Sequence, residues 1–256
     1  MMDISKMAAA MVESRKTGVQ NMMDWPDPAP SMEDAMALQA AAFEQFNSPS
    51  VGWKVGATNE AAQKGFNIDA PFYGPMAEAA VMANGGELTK TACVGACEPE
   101  YAFKMARDYP ANGETISADT AADAVATVHI AIEVIGRTIG NPDFANGLGV
   151  TMDFGGNVAF VVGPEVANWQ DKDLANSAVD SKVDGEVVAS GNGQPVMGNP
   201  INSLAWLAET LAANGKQIKA GEWVSTGTCT PAIPAAAGTT YTATFGDFGD
   251  VSVKFA

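Results

Sequence analysis

Histidine occurs once in this chain, cysteine three times, and basic residues 14 times against 30 acidic ones. With His129 as the sole imidazole, and Cys93, Cys97 and Cys229 as the only thiols, a zinc site lacks partners. Three cysteines suit a reducing compartment better than a disulfide framework, and Cys93 and Cys97 read as half-buried strand neighbours. A formal charge of −16 and a pI near 4.2 argue against nucleic acid and anionic membrane surfaces as partners, because both would be repelled. No run approaches the ~20 apolar residues needed to cross a bilayer. The start, Met1-Met2-Asp3-Ile4-Ser5-Lys6, lacks a basic segment followed by an apolar core, so no secretory signal is visible and the cytoplasm is the expected location. Disorder is equally excluded by 47% hydrophobic and 17% charged residues.

What is present falls into two textures. Residues 3 to 20 predict a helix, and Ser31-Met32-Glu33-Asp34 opens another with a Ser and an Asp three apart, after the Pro-rich turn Asp24–Pro30. Met32, Met36, Leu38, Ala42, Phe43 and Phe46 then recur near helical spacing, as core or interface residues. From Val51 onward short apolar runs are cut by Gly, Pro, Asn and Asp, which predicts a β-rich body. Within it, Asn59–Gly65 reads as a short helix ended by glycine, Asp69–Met76 as a turn-rich loop, Ala118–Thr127 as a helix and Asn141–Gly149 as a loop. Asp184-Gly185 marks a hairpin, and Asn202–Leu211 an amphipathic helix ending near Asn214-Gly215. Gly191–Gly198 lacks the spacing of either common phosphate loop.

The chemistry concentrates in acidic positions on predicted strands. In Cys97-Glu98-Pro99-Glu100-Tyr101 the two carboxylates are two residues apart and share a strand face. Glu133 lies in the apolar run Ile130–Gly136, where an ionised carboxylate is costly unless paired. Two readings stand: a solvated strand face with Glu133 paired to a Lys or Arg, or three carboxylates around Mg2+ or Mn2+, which accept such hard-oxygen shells. Lys54, between Gly52 and Gly56 among apolar residues, is either half-buried beside an anion or an edge-strand lysine. His129 shares a strand face with Glu133, as a neighbour of that site or as a satisfied core histidine. Ser225-Thr226-Gly227-Thr228 gathers hydroxyls and amides that can hold a carboxylate, or forms an ordinary β-turn.

In order, Gly52–Thr58, Glu98-Pro99-Glu100, Ala131–Val134, Gly198-Asn199-Pro200 with Ala205–Ala208, Lys219–Glu222 and Thr226-Gly227-Thr228 resemble one branch of the fumarylacetoacetate hydrolase superfamily. That branch holds the 2-keto-4-pentenoate hydratases and 4-oxalocrotonate decarboxylases, and the resemblance spans about residues 30 to 255. It implies an α+β fold, a mixed β-roll of the fumarylacetoacetase C-terminal kind (residues 51–256) behind a helical N-terminal arm (residues 1–50). It also implies Mg2+ or Mn2+ on Glu98, Glu100 and Glu133. Lys54 and Asp69 become the candidate catalytic residues, and Gly74, Asn157, Gly227 and Thr228 the candidate substrate contacts.

The implied activity is a hydro-lyase that stabilises the enolate of a 2-oxo acid and adds water to a 2-hydroxydienoate in aromatic-compound degradation. Loss of a remote carboxylate gives the decarboxylase alternative. A small 2-oxo acid is the expected partner, in a homo-oligomer and in company with another enzyme of the same pathway. Two departures stand out: Phe72 precedes Tyr73-Gly74 where branch members carry an acid, and Asp153-Phe154-Gly155-Gly156 replaces an Asp-Asn-Ala-Ser-like turn. They motivate a rival reading as a non-catalytic partner subunit or small-acid binder. Carbon–carbon hydrolysis fits less well, since it resembles chemistry with an N-terminal His-Glu pair.

Overall fold

The computed structural model describes residues 2–256. Two helices come first, α1 (Ile4–Thr17) and α2 (Met32–Phe46). The expected reciprocal cap opens α2: the Asp34 amide donates to Ser31 Oγ, and the Ser31 amide donates to the Asp34 carboxylate. The body follows as β1 (Ser50–Gly56), α3 (Glu60–Phe66), β2 (Phe72–Ala77), β3 (Val81–Ala83), β4 (Gly86–Leu88), β5 (Val94–Met105), α4 (Ala118–Asp123) and β6 (Val125–Gly136). It continues with α5 (Gly147–Met152), β7 (Asn157–Glu165), β8 (Val179–Val183), β9 (Glu186–Gly191), α6 (Pro200–Ala213), β10 (Trp223–Thr228), β11 (Ile233–Pro234), β12 (Thr240–Thr244) and β13 (Asp250–Phe255). Among the described residues no helix is long and apolar enough to cross a membrane.

The strands form two mixed sheets. One is a curled eight-stranded sheet in the order β2-β1-β10-β5-β6-β7-β3, with β11 added to β5; the other is five-stranded, β4-β13-β12-β8-β9. The α+β expectation therefore holds. One continuous core joins them: Tyr101, Phe103, Ile130 and Ile132 from the first sheet pack with Tyr241, Phe245 and Val253 from the second, while Leu204, Leu207 and Leu211 of α6 close it. A smaller cluster seats the two N-terminal helices on the body, with Met11, Ala35 and Leu38 against Phe144, Met152 and Phe154.

Several local expectations are corrected. Phe72–Ala77 is an edge strand, not a loop; at the sheet edge Pro75 removes no ladder bond that a neighbour needs. The helix at Ala118 stops at Asp123, because Val125 already belongs to β6. Asn141–Gly149 is not a plain loop: Asn146 caps α5, whose Val150 and Met152 are buried. Asn67, not Gly65, ends α3 in the left-handed conformation. Cys93 and Cys97 are buried outright, with all three thiols free. At the hairpin, Asp184 and Gly185 both take positive φ (50° and 89°), as a tight two-residue turn requires.

A candidate metal centre in an apolar cavity

β5 and β6, each 12 residues long, run antiparallel through the middle of the larger sheet and set the geometry of the acidic groups. Their register puts Glu98 directly opposite Glu133, with Glu100 two residues along the same face opposite Ala131. One carboxylate oxygen from each of the three lies within 4.8 Å of the others. Glu100 and Glu133 are fully buried and Glu98 is half-buried. Like charges facing each other across a ladder are destabilising, so this register demands compensation.

Part of it comes from the protein. Ser225 Oγ (2.6 Å) and the Gly227 amide (2.9 Å) donate to Glu100 Oε2, and Asn157 Nδ2 donates to Glu133 Oε1 at 2.9 Å. Lys54 Nζ pairs with Glu133 Oε2 at 2.9 Å and donates to the Gly155 carbonyl at 2.8 Å. Glu100 Oε1 is buried with no hydrogen-bond partner. Burial pushes the Glu98 carboxyl up to about 7, with Lys54 pulling it down and Glu133 raising it further. Burial, then Glu133 and Glu98, hold Glu100 well above the usual carboxylate range. For Lys54, burial favours the neutral amine, but the three carboxylates outweigh it and raise its pKa. Three carboxylates thus face one ammonium. A buried orphan oxygen within an all-oxygen set fits a divalent cation, and the absence of His or Cys from the set disfavours zinc.

The elements that position these groups are local consequences of sequence. Gly56 lets the Phe72 ring lie against β1, since a Cβ there would meet the ring at 2.5 Å. The turn after α5 takes φ of 55°, 64° and 79° at Phe154, Gly155 and Gly156, which aims the Gly155 carbonyl at Lys54. Phe154 carries that left-handed backbone without being glycine, and tertiary contacts hold it there. Arg15 of α1 stacks on its ring at 3.9 Å from the centroid and pairs with Asp153 Oδ1 at 2.6 Å; Phe43 and Phe46 of α2 meet the ring edge-on.

A cavity of about 270 Å³ opens beside Lys54, Glu98 and Glu100. Gly227 and Thr228 line it, as expected. Asn157 stands behind Glu133 as its hydrogen-bond donor and does not line the cavity, so its contact is with the acid. Gly74 also sits behind the wall, where a Cβ would collide with the Phe154 carbonyl. Asp69 is not brought to the cavity: it is exposed after α3 and lines a separate outer groove with Glu60 and Leu148. Phe72 forms cavity wall, its ring 5.3 Å from Lys54 Nζ, whereas Phe154 turns away into the helical arm. His129 is the satisfied core residue, with Nδ1 bonded to the Gly163 carbonyl and its ring on Trp223. Three participants were not anticipated: Ser225 as a donor to Glu100, the Arg15–Asp153 pair behind the turn, and Arg137 in the cavity wall. For Arg137 a signal existed, a basic residue at even spacing from Glu133 along one strand.

Comparison with known proteins agrees with this architecture. Residues 46–256 match the family model described as fumarylacetoacetate (FAA) hydrolase C-terminal. The 2-keto-4-pentenoate hydratase of Burkholderia vietnamiensis (strain G4 / LMG 22486) is 30% identical over 261 residues, spanning 98% of this chain and 97% of that protein. A 4-oxalocrotonate decarboxylase of Pseudomonas putida is 30% identical over 214 residues, covering 83% of this chain and 80% of that one. Among solved structures, the 4-oxalocrotonate decarboxylase from Pseudomonas putida G7 complexed with magnesium and adipate superposes with a TM-score of 0.91 at 26% identity, over 99% of this chain and 97% of that one. The match over most of the chain and these full-length similarities place the protein in the fumarylacetoacetate hydrolase C-terminal family, beside its 2-keto-4-pentenoate hydratases and 4-oxalocrotonate decarboxylases.

Proposed function

We propose that the protein is a lyase of the 2-keto-4-pentenoate hydratase type, dependent on Mg2+ or Mn2+, that adds water to a 2-hydroxydienoate. The observation that carries this reading is the convergence of Glu98, Glu100 and Glu133 within 4.8 Å beside a buried lysine and an apolar-walled cavity. The three carboxylates would hold the cation, which when bound supplies Lewis acidity toward the carboxylate and 2-oxo oxygens of a 2-oxo acid.

The chain's own groups divide the remaining work. Lys54 has three N–H donors, of which two are committed to Glu133 and the Gly155 carbonyl. The third is free for the developing negative charge on the substrate, and the same ammonium can deliver a proton. Thr228 Oγ1 donates to the Thr230 carbonyl at 2.7 Å, so toward the cavity it serves as an acceptor that can orient water. Val55, Phe72 and Ile135 form an apolar wall for a conjugated chain and exclude bulk water around it. With Phe72 beside Lys54 and Asp69 outside the cavity, proton traffic falls to Lys54.

Release of a remote carboxylate is the second outcome open to this site, favoured by the full-length structural likeness to a 4-oxalocrotonate decarboxylase. Hydrolysis of a carbon–carbon bond finds no histidine in the cavity wall. The test is the ultraviolet absorbance of a 2-hydroxydienoate incubated with the protein and Mg2+, repeated after chelation, with CO2 release from 4-oxalocrotonate scored in parallel. Metal-dependent loss of the diene band without CO2 is the expected result. Binding of both acids with turnover of neither would make the protein a small-acid binder instead.

A further inference from the structure

We propose that Arg137 sets substrate specificity by taking a second carboxylate at the far end of the substrate, so that the preferred 2-oxo or 2-hydroxydienoate acid is a dioic one. This deepens the metal-dependent lyase reading and rests on it.

Arg137 follows the last residue of β6, and Glu133, Ile135 and Arg137 alternate onto one side of the chain. Ile135 and Arg137 line the same cavity as Lys54, Glu98 and Glu100. Four residues of extended chain separate Glu133 from Arg137 by about 13 Å between Cα atoms. That span accommodates two inward-leaning side chains with a short substrate between them. The Arg137 backbone is fixed at both ends of its peptide unit: its amide donates to the Cys93 carbonyl at 3.2 Å, and its carbonyl accepts from Gln20 Nε2 at 3.0 Å.

The guanidinium is different. Among the described residues it has neither an ion pair nor a hydrogen bond, although the side chain is half-buried and Nη1 is fully so. Acidic residues outnumber basic ones 30 to 14, and Arg15, the other sequestered arginine, is taken up by Asp153 and the Asn157 carbonyl. A desolvated guanidinium is costly when unpaired, and its planar fork matches a carboxylate with two parallel bonds. Lys54 is the only other basic residue in the wall, and it is already committed at the metal end. A dioic acid would pair both ends of the cavity, whereas a monoacid would close Arg137 in unmatched. Sites built around such a polar partner reject analogues that lack it.

Calorimetry with Mg2+ and two matched probes, 2-oxoadipate and 2-oxohexanoate, tests this, since the two share a six-carbon skeleton and differ in the terminal carboxylate. The parent protein should bind 2-oxoadipate about 10- to 100-fold more tightly, the range of one charge-assisted contact. Arg137→Met should erase that preference while leaving the 2-oxohexanoate and Mg2+ affinities at parental values, and Arg137→Lys should restore part of it. Equal affinities in the parent, or a preference that survives Arg137→Met, overturns the role of Arg137 alone. Failure of the parent to bind either acid overturns the underlying lyase reading, and this inference with it.

Discussion

Lys54 is held more firmly than a lone lysine between glycines suggests. Its ammonium is buried, 2.9 Å from Glu133 and 2.8 Å from the Gly155 carbonyl, so replacing it acts on stability as well as rate. Lys54→Met preserves the apolar stem and removes the charge. Turnover of a 2-hydroxydienoate should fall roughly 30- to 1000-fold, equivalent to about 2–4 kcal/mol of transition-state stabilisation. The metal-free variant should also lose about 3 kcal/mol, the scale of breaking a buried pair, because three carboxylates then face one another without their ammonium. Steady-state kinetics with thermal unfolding, with and without Mg2+, reads both effects. Parental turnover would return Lys54 to a purely structural role. The acidic residues were legible for a simple reason: a strand repeats every two residues, so Glu98 and Glu100 had to share a face. That Glu133 would face Glu98 was not legible, since cross-strand register depends on β6 pairing with β5 and no local pattern encodes it.

At the scale of elements, the helical arm reaches the site without touching the cavity. Arg15 of α1 donates to Asp153 Oδ1, to the Asp153 carbonyl (3.1 Å) and to the Asn157 carbonyl (2.7 Å), and Gln39 of α2 donates to the carbonyls of Tyr73 (3.1 Å) and Thr151 (2.6 Å). Between Asp153 and Asn157 lies the turn whose Gly155 carbonyl holds Lys54, and Asn157 itself holds Glu133. Arg15→Met should therefore cost about 3 kcal/mol of stability by stranding the Asp153 carboxylate, and it should weaken Mg2+ binding as well. Thermal unfolding and a Mg2+ titration check this; unchanged Mg2+ affinity would confine the arm to packing. The two N-terminal helices were readable from spacing and the Ser31 cap. Their target was not, because Asp153-Phe154-Gly155-Gly156 gave no sign that its aromatic would turn outward into the arm. Elements with weak intrinsic preference were misread for the same physical reason. α5 contains Gly147 and Gly149 and is helical through the burial of Val150 and Met152, and β2 tolerates Pro75 only because it is an edge strand.

Across the whole molecule, charge of one sign dominates, and the metal centre adds to it locally. Glu98 holds its proton up to about pH 7 in the fold, against an ordinary value of 4.5, so between those two values the native state binds more protons than the unfolded chain. By linkage, the stability of the metal-free protein should fall as pH rises from about 4.5 to about 7, and the growing net negative charge acts in the same direction. Mg2+ should flatten that fall by taking the place of the proton. Melting temperatures across this window, in chelator and in excess Mg2+, measure it, and identical pH profiles in the two conditions would rule out a cation at the triad. The facing Glu98 and Glu133 carry one more consequence, for anyone engineering the scaffold. A library of variants selected only for heat resistance in the absence of metal should drift toward Gln or apolar residues at these positions. The winners would be sturdier proteins that have traded away the chemistry, and their appearance would locate the active centre without any substrate being known.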